Sequence, residues 1–220
     1  MAISKNRINE FMLASKVMIG NASSDSVVKT ALSRYGFNEE KLLAGEKLYG
    51  EAETLQILWK RASGEQAEAT VELKSAWAMA KKQYMKALKI ARAIFTDDPK
   101  AKEALMLQGD RKQDFAGWYE QAHLFYGNIL DDSEWINVFA GYGYPREILE
   151  RDYALVKQAE TRSFGQKRAM GLARQAVEER DRKLAELARW IAELRAVAKV
   201  ALEDDPQQLE KLGIVVRRVK

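Results

Sequence analysis

The chain has 220 residues, 47% hydrophobic and 31% charged, with a formal net charge of +4 and a pI near 9.1. That is enough apolar material for a sizeable core in one or two domains. Thirteen Gly and three Pro are too few for a turn-rich β-sandwich, and abundant Ala, Leu, Glu, Lys, Arg and Gln favour helix. The lack of cysteine excludes a disulfide framework, a thiolate metal site and a thiol nucleophile, and is compatible with a reducing cytoplasm, the compartment expected here.

A first short helix is expected over 3–20, with Ile8, Phe11, Met12, Ser15, Met18 and Ile19 on one face and Gly20-Asn21 as its stop. Met1 to Asn21 alternates polar and apolar residues and does not read as a signal peptide; no run of about 18 apolar residues offers a membrane span. A second short helix, 24–35, is capped by Ser24, turns Val27, Val28, Ala31 and Leu32 inward, and ends at Gly36. Asn38 then caps a long element, 38–95, whose first-turn Glu39 and Glu40 suit the helix dipole. Its apolar or small positions are Leu48, Ala52, Leu55, Trp59, Ala62, Ala69, Leu73, Ala76, Ala80, Tyr84, Ala87, Ala91 and Ile94, with Gln66 in the remaining place. The intervals alternate four and three through most of the run, which is the seam of a coiled coil. Asp97-Asp98-Pro99 closes the element and a short helix, 99–107, follows.

The whole pattern returns 107 positions later without a gap. Tyr35-Gly36-Phe37 matches Tyr142-Gly143-Tyr144, Gly20-Asn21 matches Gly127-Asn128, Lys60-Arg61-Ala62 matches Lys167-Arg168-Ala169, and Asp97-Asp98-Pro99 matches Asp204-Asp205-Pro206. About two dozen identities on one diagonal mark an internal duplication. Repeat 1 is 1–111; repeat 2 is 112–220, with helices at 114–128, 133–140, 145–202 and 206–212. The two repeats are read as one structural unit.

The expected fold is all-α and internally duplicated, with two long antiparallel helices in a coiled coil and short helices capping both ends in approximate twofold symmetry. The alternative makes each long segment a hairpin turning near Ser63-Gly64-Glu65-Gln66, giving a compact bundle. Against the hairpin, the heptad phase is not reset there, and the second copy offers only Ala169-Met170-Gly171-Leu172-Ala173 as a turn. Pairing the ends places residue i opposite 240 − i, which sets Gly64 against Ala176, Gly171 against Ala69, Arg61 against Glu179 and Arg168 against Glu72.

The ending Ala201-Leu202-Glu203-Asp204-Asp205-Pro206-Gln207-Gln208-Leu209-Glu210-Lys211-Leu212-Gly213-Ile214 resembles the close of uncharacterised bacterial all-helical proteins with long Ala-rich helices. The resemblance covers under a third of the chain, implies a helical fold and brings no activity with it. The tail from Ile214 to Lys220 is expected to fray.

Chemistry is sparse. Glu120-Gln121-Ala122-His123 has the Glu-x-x-His spacing of di-iron bundles, but His123 is the only histidine and its duplicate is Lys16. No metal, cofactor or catalytic residue is assigned. Asp97-Asp98 and Asp204-Asp205 read as turn formers and caps, and Gly141-Tyr142-Gly143 as a helix stop. Lys60-Arg61 and Lys167-Arg168 are absorbed by interhelical pairing. Nine of the chain's 20 aromatic residues fall between Phe115 and Tyr144, in a stretch whose surroundings are acidic. They fill a core, with Trp118, Tyr119, Tyr126, Trp135, Tyr142 and Tyr144 as candidates for contact with a protein partner.

The expected function is a non-enzymatic helical scaffold or protein-interaction module, with no membrane partner. The alternative is a nucleic-acid-associated protein using the basic faces of the long helices. Net charge runs near +5 over 1–96, −6 over 97–160 and +5 over 161–220, with acids interleaved throughout. Homodimerisation through the exposed face of the coiled coil stays open.

Overall fold

The computed structural model describes residues 7–215; the start of the first expected helix, 3–6, and the tail beyond Val215 lie outside the described residues. Within them the chain forms eight helices and no strand: α1 (Ile8–Ser24), α2 (Ser26–Ser33), α3 (Glu39–Ile94), α4 (Pro99–Ala104), α5 (Phe115–Asp131), α6 (Ser133–Gly141), α7 (Arg146–Ala201) and α8 (Gln207–Lys211). None of these helices is long and apolar enough to cross a membrane.

Both long segments are single helices of 56 residues, each about 84 Å at 1.5 Å per residue, so the hairpin alternative does not occur. Asn38 caps α3 by accepting from the Lys41 amide at 3.0 Å. Every seam position of α3 named above, Gln66 included, is buried or half-buried, and the seam crosses 63–66 without a break. Gly64 and Gly171 are exposed, with nothing within 4 Å of where a Cβ would stand. Gly64 and Gly171, expected to face Ala176 and Ala69, therefore both point outward instead.

The register differs too. Lys41–Glu193, Lys183–Glu51 and Arg162–Glu72 set residue i against 234 − i, so Glu72 meets Arg162 six residues before the expected Arg168. A heptad pattern barely distinguishes alignments about one repeat apart; bulky contacts decide between them. At Gly45 an added Cβ would run into the Trp190 ring, and that indole meets the edge of Phe37 with ring centroids 5.6 Å apart.

The described chain forms two compact units, 7–63 with 172–215, and 64–171. Neither coincides with a sequence repeat: each takes half of both long helices and three short ones. The first unit holds α1, α2 and α8 on an aliphatic core that includes Met18, Ile19, Val28, Leu32, Leu187, Ile191, Leu194 and Leu202. The second holds α4, α5 and α6 on a core where the equivalent residues are Phe125, Tyr126, Trp135, Phe139, Ala80, Tyr84, Ala87 and Phe95. The copies thus share one plan and fill it differently. Where the short helices of the second unit carry rings, Ala80 and Ala87 stand on the long helix in place of Leu187 and Leu194.

The repeated motifs acquire physical reasons. The Asn21 side-chain amide donates to the Lys211 carbonyl, and its duplicate Asn128 donates to the duplicate carbonyl, Ala104, at 2.7 Å. Gly20-Asn21 is therefore a latch between short helices instead of the expected stop, and α1 continues to Ser24. Asp25, not Ser24, caps α2 by accepting from the amides of Val27 and Val28; the Ser24 hydroxyl turns back to the Gly20 carbonyl. Val27 faces solvent, correcting its expected inward position, while Val28 and Leu32 are buried. Asp98 caps α4 and Asp132 caps α6. Asp205 instead accepts from the Gln208 side chain. Tyr-Gly-aromatic closes a paired C-terminal motif in both copies. Gly36 and Gly143 have φ of 86° and 80°, and the amides of Phe37 and Tyr144 donate to the carbonyls of Leu32 and Phe139. Ile214 is buried in the first unit's core, which corrects its assignment to a frayed tail.

Replacing Gly64 and Gly171 together by Ala should raise stability by about 0.5–1 kcal/mol per site, because each is an open helical position. Gly45→Ala should lower it by about 1–3 kcal/mol by pushing the Trp190 ring. Urea unfolding followed by circular dichroism separates the two; equal losses from both changes would contradict the placement of these glycines.

Candidate functional site

The residues singled out by sequence converge on the second unit, where α5 and α6 deliver rings onto α3 and the start of α7. Asp114 opens α5 by accepting from the Gly117 amide at 2.9 Å, and from there aromatic residues recur on its inner face. Trp118, Phe125 and Tyr126 are fully buried, and Trp135 and Phe139 of α6 join them. Rings meet edge-on or tilted, as their quadrupoles favour: Trp77 with Trp118 at 5.8 Å, Tyr84 with Phe125 at 5.3 Å, and Phe95 with Phe139 at 6.0 Å.

Of the six candidate contact residues, Trp118, Tyr126 and Trp135 are therefore core, Tyr119 and Tyr144 are half-buried, and Tyr142 is 61% exposed. Along α5, Phe115, Tyr119 and His123 stack at four-residue intervals, with centroids 6.2 and 5.3 Å apart. His123 Nδ1 lies 2.9 Å from the Tyr153 hydroxyl and 3.4 Å from that of Tyr119. The histidine thus joins α5 to α7 instead of meeting Glu120 at a metal. No group of three or more His, Cys, Asp or Glu suited to a metal ion exists among the described residues.

Behind the rings lies a polar network that the sequence pattern did not reveal. Arg111, in the segment between α4 and α5, is buried and donates to the Tyr84 hydroxyl at 2.8 Å and the Gln108 carbonyl at 2.6 Å. Arg92 secures the same segment through the carbonyls of Leu107 and Gly109. Asp152 is buried with one carboxylate oxygen held by Arg151, while its Oδ2 makes no hydrogen bond within the protein. The Tyr126 hydroxyl is likewise buried and without a protein partner. Asp152 occupies the place of Gly45 in the first copy, so a carboxylate stands where the other unit admits an indole. The signal for Asp152 was an acid at the seam phase of α7, visible once that phase is fixed.

Burial opposes the phenolate form throughout. Tyr119 is pushed up to about 12, first by desolvation and then by its hydrogen bond to Glu160. Tyr126 is raised by desolvation and by the Asp152 charge. Tyr84, Tyr144 and Tyr153 are also raised, each mainly by burial.

Removing one phenolic oxygen from each of two neighbouring rings should give opposite signs. Tyr84→Phe strips Arg111 of an acceptor and should cost about 1–3 kcal/mol; Tyr126→Phe removes an unpaired buried hydroxyl and should leave stability unchanged or raise it by up to about 1 kcal/mol. Chemical denaturation of the two variants measures both.

A phenol whose folded pKa lies above the unfolded value of about 10 contributes stability that is complete below pH 10 and disappears as pH rises through the folded value. Helix content should therefore fall between about pH 10 and 12, together with the rise in phenolate absorbance near 295 nm. Titration of all eight tyrosines near pH 10 with helix intact would contradict the burial of these rings.

No family model matches the chain, and neither does any curated protein or solved structure.

Proposed function

We propose that the protein is a cytoplasmic, non-catalytic helical interaction module that holds a protein partner on apolar side chains kept in solvent at equivalent places of its two copies. The observation that supports this is a matched exposure. Tyr35 and Tyr142 are 53% and 61% exposed, and Ile57 and Phe164 are 64% and 61% exposed; each pair is related by the 107-residue offset.

A single exposed apolar residue is ordinary. Matched pairs are harder to explain by folding alone. In the Tyr-Gly-aromatic turn the glycine supplies the positive φ and the third residue supplies the amide and the packed ring. The first residue gives only its backbone amide, to the carbonyls of Leu32 and Phe139, which calls for no ring, yet it is tyrosine in both copies. Ile57 and Phe164 lie outside the seam of their helices, so the coiled coil has no use for their bulk. Tyr and large apolar side chains in solvent are the usual anchors of protein interfaces. Among the sequence candidates, Tyr142 is one of these exposed side chains, while Tyr119 and Tyr144 are half-buried. Trp118, Tyr126 and Trp135 belong to the core of the second unit.

The test uses two double variants, Tyr35→Ser with Tyr142→Ser and Ile57→Ser with Phe164→Ser. Both should keep full helicity, and at least one should bind a partner recovered from the native cell about ten-fold or more weakly in a purified binding assay. Undiminished binding by both variants, or turnover of a small molecule by the purified protein without any partner, would refute the reading.

A further inference from the structure

We infer that the outer ridge of α3 in the second unit, formed by Lys74, Lys82, Lys86 and Lys89, binds the phosphate backbone of double-stranded nucleic acid. This goes beyond the protein-partner reading and uses none of its residues. Between Leu73 and Thr96 the sequence carries Lys74, Lys81, Lys82, Lys86, Lys89 and Arg92 and no carboxylate, although acids are interleaved with bases along most of the rest of both long helices. At about 100° per residue the four ridge lysines share an arc of about 120°. That arc lies on the side of α3 opposite Ala76, Ala80, Tyr84, Ala87 and Ala91, which are buried.

The two remaining cations have structural work. Lys81 bonds to Gln113 and lies over the Trp77 ring, and Arg92 holds the segment at Leu107 and Gly109. Lys74, Lys82, Lys86 and Lys89 are exposed, and among the described residues none of them makes an ion pair. Lys86 lies four residues after Lys82 and three before Lys89, which places like charges side by side and disfavours the helix. The scaffold does not require them: the equivalent positions of α7 are Asp181, Arg189, Glu193 and Ala196, and Glu193 pairs with Lys41. One copy neutralises this face, and the other leaves it uniformly positive.

A row of uncompensated lysines spanning about 22 Å fits a linear polyanion. Most of the apolar face of α3 in this unit is buried in the core, and the two large apolar side chains left in solvent there, Val71 and Met79, are too few to sink the helix into a lipid surface. No aromatic side chain lies among the ridge residues to stack on unpaired bases, which favours a duplex over a single strand. A helix 10–12 Å across matches the roughly 12 Å width of the major groove. Lysines acting as point charges, without arginine forks or amides aimed at base edges, give contact to phosphates without sequence readout.

Fluorescence anisotropy of the full chain with a labelled duplex of about 24 base pairs tests this at about 50 mM salt. Four phosphate contacts predict a slope of log affinity against log salt of about −3 to −4. The triple variant Lys82→Gln, Lys86→Gln, Lys89→Gln should keep its helicity, flatten the slope by about 3 and weaken binding roughly 100-fold at 100 mM salt. Absence of binding at about 50 mM salt overturns the inference. So does a slope that the triple variant leaves unchanged. Tighter binding to a single strand of equal length, to polyglutamate or to phosphatidylserine vesicles overturns it as well.

Discussion

The structure rests on one continuous stripe of small and apolar residues along each long helix. A helix of 56 residues satisfies nearly all of its own backbone groups, so its stability in a protein turns on covering the stripe that it cannot leave in water. Proline and paired aspartates end each long helix, glycine with positive φ opens the way into it, and an asparagine latch repeats in both copies to hold the short helices. These devices recur at the same offset because they serve the same stripe. Among the described residues three charged side chains enter the interior, Arg180 in the first unit and Arg111 and Asp152 in the second, each held differently. Arg180 is buried over the Trp59 ring at 4.1 Å with Asp181 as its partner, and Asp152 is buried beneath the rings of the other unit with Arg151.

The helices and their order were legible in the sequence because duplication and heptad phase are properties of spacing, which does not depend on what packs against what. The phase running unbroken through Ser63 to Gln66 was sufficient to favour a single helix over a hairpin, and the inward positions from Leu48 to Ile94 follow the same arithmetic. Register was not legible. Spacing alone permits alignments about a heptad apart, and the choice between them is made by shape, with the Trp190 indole seated at the missing side chain of Gly45. The role of Gly20-Asn21 is hidden for a related reason. Those residue types do end helices, but here the asparagine amide has a distant carbonyl to reach, which no local pattern discloses.

The candidate site was half legible. Aromatic density located the right stretch, because rings cluster where they fill volume and also where they meet partners. Composition does not say which ring does which. Burial separates them: Trp118, Tyr126 and Trp135 are interior, while Tyr142 stands in solvent. The polar groups behind the rings leave no mark on the pattern, because Arg111 lies between helices and Asp152 looks like one more charge on a long charged helix. The lysine ridge was obscured by averaging, since the interleaved acids of neighbouring stretches cancel a run that is uniform only between Leu73 and Thr96.

The exchange of size between long and short helices gives the duplicated halves separate identities. Ala80 and Ala87 accommodate Phe125, Tyr126, Trp135 and Phe139, whereas Leu187 and Leu194 take up the volume beside Met18, Ile19, Val28 and Leu32. Docking α5 and α6 on the leucine side overfills it; docking α1 and α2 on the alanine side leaves holes. Copies that began alike have become lock and key to their own neighbours, so the chain has a built-in safeguard against threading either pair of short helices onto the wrong seat.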